Sequence, residues 1–249
     1  MNTFIIENNY FHKGNDITKK VKIEIDSIFI ENGNIVFSHE TRQIIARIDQ
    51  IPMTINGSAL HNVQNALGVV GLCKSLRINN EAIETGLMNF GRNPADNPGR
   101  TNVYDVNGAT VIVDFAHNPH SMKAVMSMVS NMAKTMSRQG NISVMFSHGG
   151  DRSNQDILEV ANEVFSIQPN TYILSELEVY LRGRAFGEIS NLVEAHLLSK
   201  GVDKDSLIKV NNPLEGAKKA LEGSKSGDLV LLFVLDERDR IEKYLAKIS

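Results

Sequence analysis

The 249-residue chain has no tryptophan, one cysteine, six prolines and no apolar run approaching the length of a membrane span. Each shortage removes a class of protein. Cys73 alone cannot form an internal disulfide, so a cystine-stapled secreted fold is excluded; lying in an apolar helical pattern, it reads as a packed side chain. The amino terminus lacks a signal-peptide pattern. A net charge of −3 with pI near 6.2 gives no basic footprint for nucleic acid. Metal-ligand spacing, a Gly-x-Ser-x-Gly elbow and a dinucleotide Gly-x-Gly-x-x-Gly are all missing. Gly71-Leu72-Cys73-Lys74-Ser75 is a decoy for a phosphate loop, because it lacks the Gly-Lys adjacency and falls within a helical pattern. The expectation is a cytoplasmic protein with no metal site of its own, no nucleic-acid partner and no membrane partner.

What is present is ordinary globular material, 42% hydrophobic and 22% charged, enough for one large domain or two modest ones. The chain is organised around residues 97–121, NPGRTNVYDVNGATVIVDFAHNPHS. A turn carrying Arg100 precedes the apolar run Ala109 to Val113, which ends in Asp114-Phe115-Ala116-His117-Asn118-Pro119. A short β-branched run bounded by turn residues reads as a buried strand. Asn118-Pro119 then reads as a helix start, with Asn as cap and Pro in the first turn. Met122, Val125, Met126, Val129, Met132 and Met136 follow on one helical face. Asp114 and His117 therefore sit at the carboxyl end of a strand, against a helix amino terminus, where α/β sheets bind ligands and free N–H groups favour an anion such as phosphate.

Upstream, residues 1 to about 55 read as short strands and turns. The opening, Asn2 to Thr18, offers no start for an independent core, as in a truncated domain. Val21 to Ile30 alternates loosely, and Glu31-Asn32-Gly33-Asn34 makes a hairpin turn before Ile35-Val36-Phe37. A helix opens at Leu60-His61 and runs to about Leu76, with Asn62 able to cap it; a second spans Asn80 to Phe90 with Asn80 as its cap. The polar loop 93–100 is the best domain boundary. Beyond it strands (110–115, 142–146, 171–174, 207–210, 229–234) alternate with helices (119–136, 155–165, 186–199, 213–223, 237–248). That alternation is the signature of an α/β, doubly wound, mainly parallel sheet.

Parallel topology brings the loop after each strand to one sheet edge. These loops are 114–118, Ser147-His148-Gly149-Gly150-Asp151-Arg152, 175–184 ending Tyr180-Leu181-Arg182-Gly183-Arg184, and Asp236-Glu237-Arg238-Asp239. Gly149-Gly150 can let backbone N–H groups approach an anion, and Arg182 and Arg184 suit a carboxylate or phosphate clamp. Each has a plainer reading as a turn residue, a cap or a solvated pair. Periodicity alone reaches only as far as a ligand site in an α/β domain.

The residues HNVQNAL at 61–67, NPGRTN at 97–102 and DFAHNP at 114–119 occur in the order found in the Mur ligase family. Those enzymes use ATP to join a carboxylate to an amine. DNPGRTN at 96–102 and YLRGRAFGE at 180–188 are similar, within that family, to the cyanophycin synthetases, and the likeness covers about residues 20–245. The resemblance implies a central ATPase-domain tail at 1–98 and a carboxy-terminal lid domain at 99–249. It implies ATP as cofactor with magnesium, whose ligands belong mainly to a segment upstream of HNVQN. It implies that His61, Asn62 and Asn65 face the adenine side, that Arg100 and His117 are catalytic beside the phosphates, and that Asp114 lies near the ribose. It implies that Asp151, Arg152, Arg182 and Arg184 handle an amino-acid, peptide or polymer substrate.

Phe115 stands where the family more often has tyrosine. The family's Gly-Lys-Thr/Ser loop, its magnesium carboxylates and its carbamylated lysine are missing. The chain is therefore expected to be part of a longer or split ligase, inactive alone, whose partner is the missing half or a further copy. A muropeptide-type ligase and a non-catalytic α/β binding domain stay open as alternatives.

Overall fold

The structure, a computed structural model, describes residues 26–135 and 140–248. The opening stretch Asn2 to Thr18, Val21 to Ile25 and Met136 lie outside the described residues. The chain divides between Arg92 and Asn93 into two compact units, and the division falls at the start of the polar loop 93–100.

Unit 1 holds an antiparallel meander, β1 (Ser27–Glu31), β2 (Asn34–Ser38) and β3 (Arg42–Arg47), and two helices, α1 (Leu60–Ser75) and α2 (Asn80–Asn89). Asn32 and Gly33 both take positive φ, 49° and 77°, which matches the twist of a two-residue hairpin. β3 is not predicted, because a bulge opposite Ile35/Val36 breaks its alternation: Ile45 and Ala46 are both buried while Ile44 is 66% exposed. Ile28, Ile35, Phe37 and Ile45 pack against Val63, Ala66 and Val70 of α1 and Ile83 and Leu87 of α2, with Cys73 partly buried against them. The decoy 71–75 is the last turn of α1.

Two expected caps are corrected. Ala59 begins α1 without a side-chain cap, and Asn62, already inside the first turn, donates Nδ2 to the Met53 carbonyl at 2.8 Å instead. Asn79, one residue before Asn80, caps α2 by accepting from Ala82 N–H.

Unit 2 is a six-stranded sheet in the order β4 (Asn102–Val106), β5 (Ala109–Asp114), β9 (Leu229–Phe233), β6 (Ile142–Phe146), β7 (Thr171–Ser175), β8 (Leu207–Val210). All pairings are parallel except β4–β5. β4 is the one strand of unit 2 not predicted, although Asn107-Gly108 (φ 54° and 79°) is a strong hairpin signal. The helices are α3 (Pro119–Thr135), α4 (Asn154–Phe165), α5 (Glu188–Ser199), α6 (Pro213–Leu221) and α7 (Arg238–Ile248).

The chain steps β5, β6, β7, β8 in one direction and then returns to β9. Because such crossovers keep one hand, the return reverses the face. Hence α3 packs on α4 and α4 on α5, while α6 packs on α7. Buried on both sides, β9 is apolar throughout (LVLLF). Val111, Val113, Met145, Ile173, Val230 and Leu232 meet Ala217, Leu221, Ile241 and Leu245 of α6 and α7 in one core. Met122, Val125, Met126, Val129 and Met132 are buried on α3 as the spacing predicts, and Met128 joins them.

Candidate functional site

The motif 97–102 folds into a turn held by two buried polar side chains. Asn102 accepts from Gly99 N–H at 2.5 Å and donates to the Asn97 carbonyl at 3.1 Å. Thr101, β-branched yet at φ +55°, is a backbone outlier that must be held from outside. Asp114 holds it: Oδ2 accepts from Thr101 N–H at 2.8 Å and from Thr101 Oγ1 at 2.9 Å, while Oδ1 accepts from Ala116 N–H at 2.7 Å. Buried to 8% exposure and with three donors upon its carboxylate, Asp114 ties the turn to the end of β5.

The tied turn presents Arg100. Its guanidinium is exposed and lies 4.8 Å over the Phe115 ring, a cation–π contact. His117 meets that ring edge-on at 5.1 Å, and its Nδ1 lies 2.9 Å from the Phe115 carbonyl. A carbonyl only accepts, so Nδ1 carries the hydrogen and Nε2 of the neutral ring offers a lone pair. Arg100, Phe115 and His117 thus form one stack.

β5 and β9 are neighbours whose following helices lie on opposite faces, which is the crevice position in an α/β sheet. A cleft of about 350 Å³ lies there, lined by Phe115 and by residues 234–240 after β9. The helix start itself has less to offer an anion than the sequence suggests. Ser121 Oγ accepts from His117 N–H and Asn118 N–H, Asn118 Oδ1 caps Ser121 N–H, and the Asn118 carbonyl accepts from Met122 N–H.

At the end of β6, His148 is 5% exposed and stacks edge-on to Phe146 at 5.8 Å. Burial, and secondarily the charge of nearby His117, push its pKa down to about 4, so it is neutral at ordinary pH. Its Nε2 and the neighbouring Ser147 Oγ are buried without hydrogen-bond partners. Both residues stand in a loop the sequence singles out, but neither is among the predicted site residues. A histidine two residues beyond a predicted strand end was the available signal.

The next two loops are fastened together. Gly150 N–H donates to the Tyr180 carbonyl at 2.8 Å, and a Cβ on Gly150 would lie 1.8 Å from the Leu181 carbonyl oxygen. Gly150 therefore serves this backbone approach, and its N–H is not left for the anion that the sequence suggests, while a Cβ on Gly149 would meet only the Asp151 carboxylate, at 2.7 Å. Arg184 completes the seam, donating Nε to the Gly150 carbonyl at 3.0 Å, Nη2 to the Arg152 carbonyl at 2.8 Å and Nη1 to Glu188 at 3.0 Å. Asp151 and the side chains of Arg152 and Arg182 are exposed, Arg182 lying 5.6 Å from the centre of the Tyr180 ring at φ +49°.

His61, Asn62 and Asn65 belong to unit 1, on the first turns of α1. Asn65 Nδ2 donates to Asn62 Oδ1 at 3.2 Å. Among the described residues, no three His, Cys, Asp or Glu side chains converge as a metal site, and no helix is long and apolar enough to cross a membrane.

Comparison with known proteins agrees with this architecture. The cyanophycin synthetase of Geminocystis herdmanii is 27% identical over 221 residues, covering 86% of this chain and 24% of that protein. The UDP-N-acetylmuramoyl-L-alanyl-D-glutamate–2,6-diaminopimelate ligase of Clostridium botulinum is 23% identical over 257 residues, covering 94% and 49%. The chain thus spans about a quarter to a half of the length of these relatives. Among solved structures, E. coli FolC in complex with ADP superposes with a TM-score of 0.61 at 18% identity, covering 91% of this chain and 47% of that one, which shows the shared fold. Residues 99–233, more than half of the chain, match the family described as "Mur ligase, glutamate ligase domain". The chain belongs to the Mur ligase family.

Proposed function

We propose that the chain is part of an ATP-dependent ligase that joins a carboxylate to an amine through an acyl phosphate, of the cyanophycin synthetase kind. The observation that carries this is the presentation of Arg100. A strained turn, a buried asparagine and a three-bonded aspartate hold one exposed guanidinium over an aromatic ring, at the crevice of a parallel sheet. A solvated surface arginine needs no such support.

The donor set fits a nucleotide: an exposed cation for phosphate, a ring nitrogen lone pair and an aromatic face beside a cleft. ATP, when bound, supplies the phosphoryl group that activates the carboxylate. Arg100 faces the transferring phosphates and offsets the charge that builds on them. His117, with Nδ1 held by the Phe115 carbonyl, offers Nε2 in a fixed direction. Asp114, both of whose oxygens are engaged, acts by holding Arg100 in place.

In unit 1, Asn62 is tied to Met53 and to Asn65 Nδ2, so the Oδ1 of Asn65, exposed on α1, is left for the adenine side, with His61 four residues before it. Units 1 and 2 correspond in this reading to the ATPase-domain tail and the lid. The described residues do not fit magnesium, since no three ligating side chains converge among them. Asp151, Arg152 and Arg182 line the substrate side, with Arg184 holding their loops. Because an acyl phosphate hydrolyses in water, these loops also serve to exclude solvent.

The test supplies a segment carrying the family's Gly-Lys-Thr/Ser loop, fused or in trans, and measures amino-acid-dependent phosphate release. Arg100→Ala should lower the rate by about 10²–10³-fold, as for removal of one preorganised electrostatic group. A competent enzyme indifferent to Arg100→Ala would refute the assignment.

A further inference from the structure

Helix α7 begins beside the turn that presents Arg100. Gly99 takes φ +70°, and a Cβ there would lie 3.1 Å from Arg238 Cδ and 4.0 Å from Arg238 Nη1. The side chain of Arg238 therefore lies across the open face of Gly99, in space that any other residue type would claim for itself. Arg238 is the first residue of α7 and stands in the wall of the cleft that also holds Phe115. The turn is thus met by three groups. Asn102 accepts from Gly99 N–H, Asp114 holds Thr101 from the end of β5, and Arg238 covers Gly99 from α7.

Arg238 is anchored in turn by Glu242, one helical turn further along α7. Its Nε lies 3.7 Å from Glu242 Oε1, and its Nη2 lies 3.5 Å from Asp239 Oδ1. On a solvated helix surface such a pair is a minor support. Glu242 departs from that case. Its Oε1 is buried and has no hydrogen bond, so the Arg238 guanidinium is the cation that offsets it. Burial raises the Glu242 carboxyl pKa, Arg238 lowers it and Asp239 raises it. Burial, and then the charge of Glu242, raise the Tyr104 phenol on β4. A long side chain fixed at its charged end by a buried carboxylate is a stiff strut, and its stem is the part that crosses Gly99.

We propose that Arg238 is a positioning residue for Arg100: its stem, anchored by Glu242, closes the α7 side of the turn and keeps the Arg100 guanidinium over the Phe115 ring. What Arg100 does once it is in place rests on the ligase reading; the strut itself stands on the geometry alone. Gly99 then has two tasks in the motif, supplying a positive φ and leaving room for the stem of an arginine from the far end of the chain.

Proton chemical shifts of the Arg100 side chain in the 249-residue chain read the stack directly, because protons held over an aromatic face move upfield. Phe115→Leu, which removes the ring, sets the unstacked value. Arg238→Ala should move the Arg100 shifts most of the way to that value while the amide shifts of β6 and α4 stay in place. Arg238→Lys, which keeps a long stem and a positive charge, should retain the stack. Glu242→Gln, which keeps the side-chain volume, should weaken it. A pair that merely supports the surface of α7 would lower the melting temperature and leave Arg100 where it is. Full stacking in folded Arg238→Ala, no rescue by Arg238→Lys, no effect of Glu242→Gln, or an unmutated chain indistinguishable from Phe115→Leu would each overturn the proposal. No nucleotide is added and no turnover is measured, so failure of the ligase reading and failure of the strut are separate outcomes.

Discussion

Lowering the pH should destabilise unit 2 through one residue, His148. The folded-state pKa lies near 4 against an ordinary 6.5, because the ring is buried and has His117 close by. Protons therefore bind the unfolded chain first. The contribution of His148 is complete above about pH 6.5 and is lost progressively between there and pH 4. The difference of 6.5 and 4 sets a ceiling of about 3 kcal/mol, at 1.36 kcal/mol per unit, with about 2 kcal/mol already lost at pH 5.

The assay is urea unfolding of unit 2 at several values between pH 7.5 and 4.5, for the unmutated chain and for His148→Leu. Leucine occupies similar space and does not titrate, so its curve falls less steeply with acid. The difference between the two curves isolates His148 from the carboxylates and from the other histidines. His148→Leu should also be no less stable than the unmutated chain near pH 5, because the buried Nε2 has no hydrogen bond to lose. Parallel curves over that window would show that the ring is solvated or partnered in solution, and the reasoning from its burial would fall.

Asp114→Ala leaves Thr101 and Ala116 N–H groups without their acceptors and frees a strained residue, so it should destabilise unit 2 by about 2–4 kcal/mol, or roughly 5–15 °C in Tm. A Tm within a degree or two of the unmutated value would mean the turn stands without its tie. Arg184→Ala removes two donors to backbone carbonyls and should cost about 1–2 kcal/mol and open the 149–152 loop to protease. Arg182→Ala should leave stability unchanged and, in the reconstituted enzyme, raise the KM of an amino-acid substrate while leaving that of ATP nearly constant. A rise confined to ATP would move Arg182 to the phosphates.

Much of unit 2 is legible in the sequence because its strands are buried on both faces and its helices carry clear caps. The strand at Ile142–Phe146 and the helix after Asn118-Pro119 follow directly from those signals. Legibility falls where one strand face meets water or a bulge intervenes. β3 hides behind its bulge, and β4 mixes Asn102, Tyr104 and Asp105 into an edge strand whose Asn107-Gly108 turn is its clearest mark. Helix α1 illustrates a further limit. Asparagines near a helix start suggest a cap, but a side chain inside the first turn can reach back to a preceding carbonyl, as Asn62 does to Met53.

The sequence marks the polar loops at the sheet edge but not which of their side chains are tied to backbone, and the reason is chemical. A loop that turns through positive φ or approaches another backbone leaves buried N–H and C=O groups needing partners. Carboxylates and guanidiniums are the strongest partners available, and they are also the groups that bind phosphates and amino acids. Asp114 accepts from two backbone N–H groups and Arg184 donates to two backbone carbonyls, so both act mainly as ties. The side chains of Arg100 and Arg182, the same residue type as Arg184, carry no hydrogen bond among those described and lie against aromatic rings. No sequence pattern separates Arg182 from Arg184, two residues apart in one motif. What separates them is whether a carbonyl of another loop lies within reach, which depends on how closely Gly150 lets Leu181 approach. The glycine therefore decides which arginine is spent on backbone carbonyls and which stays exposed.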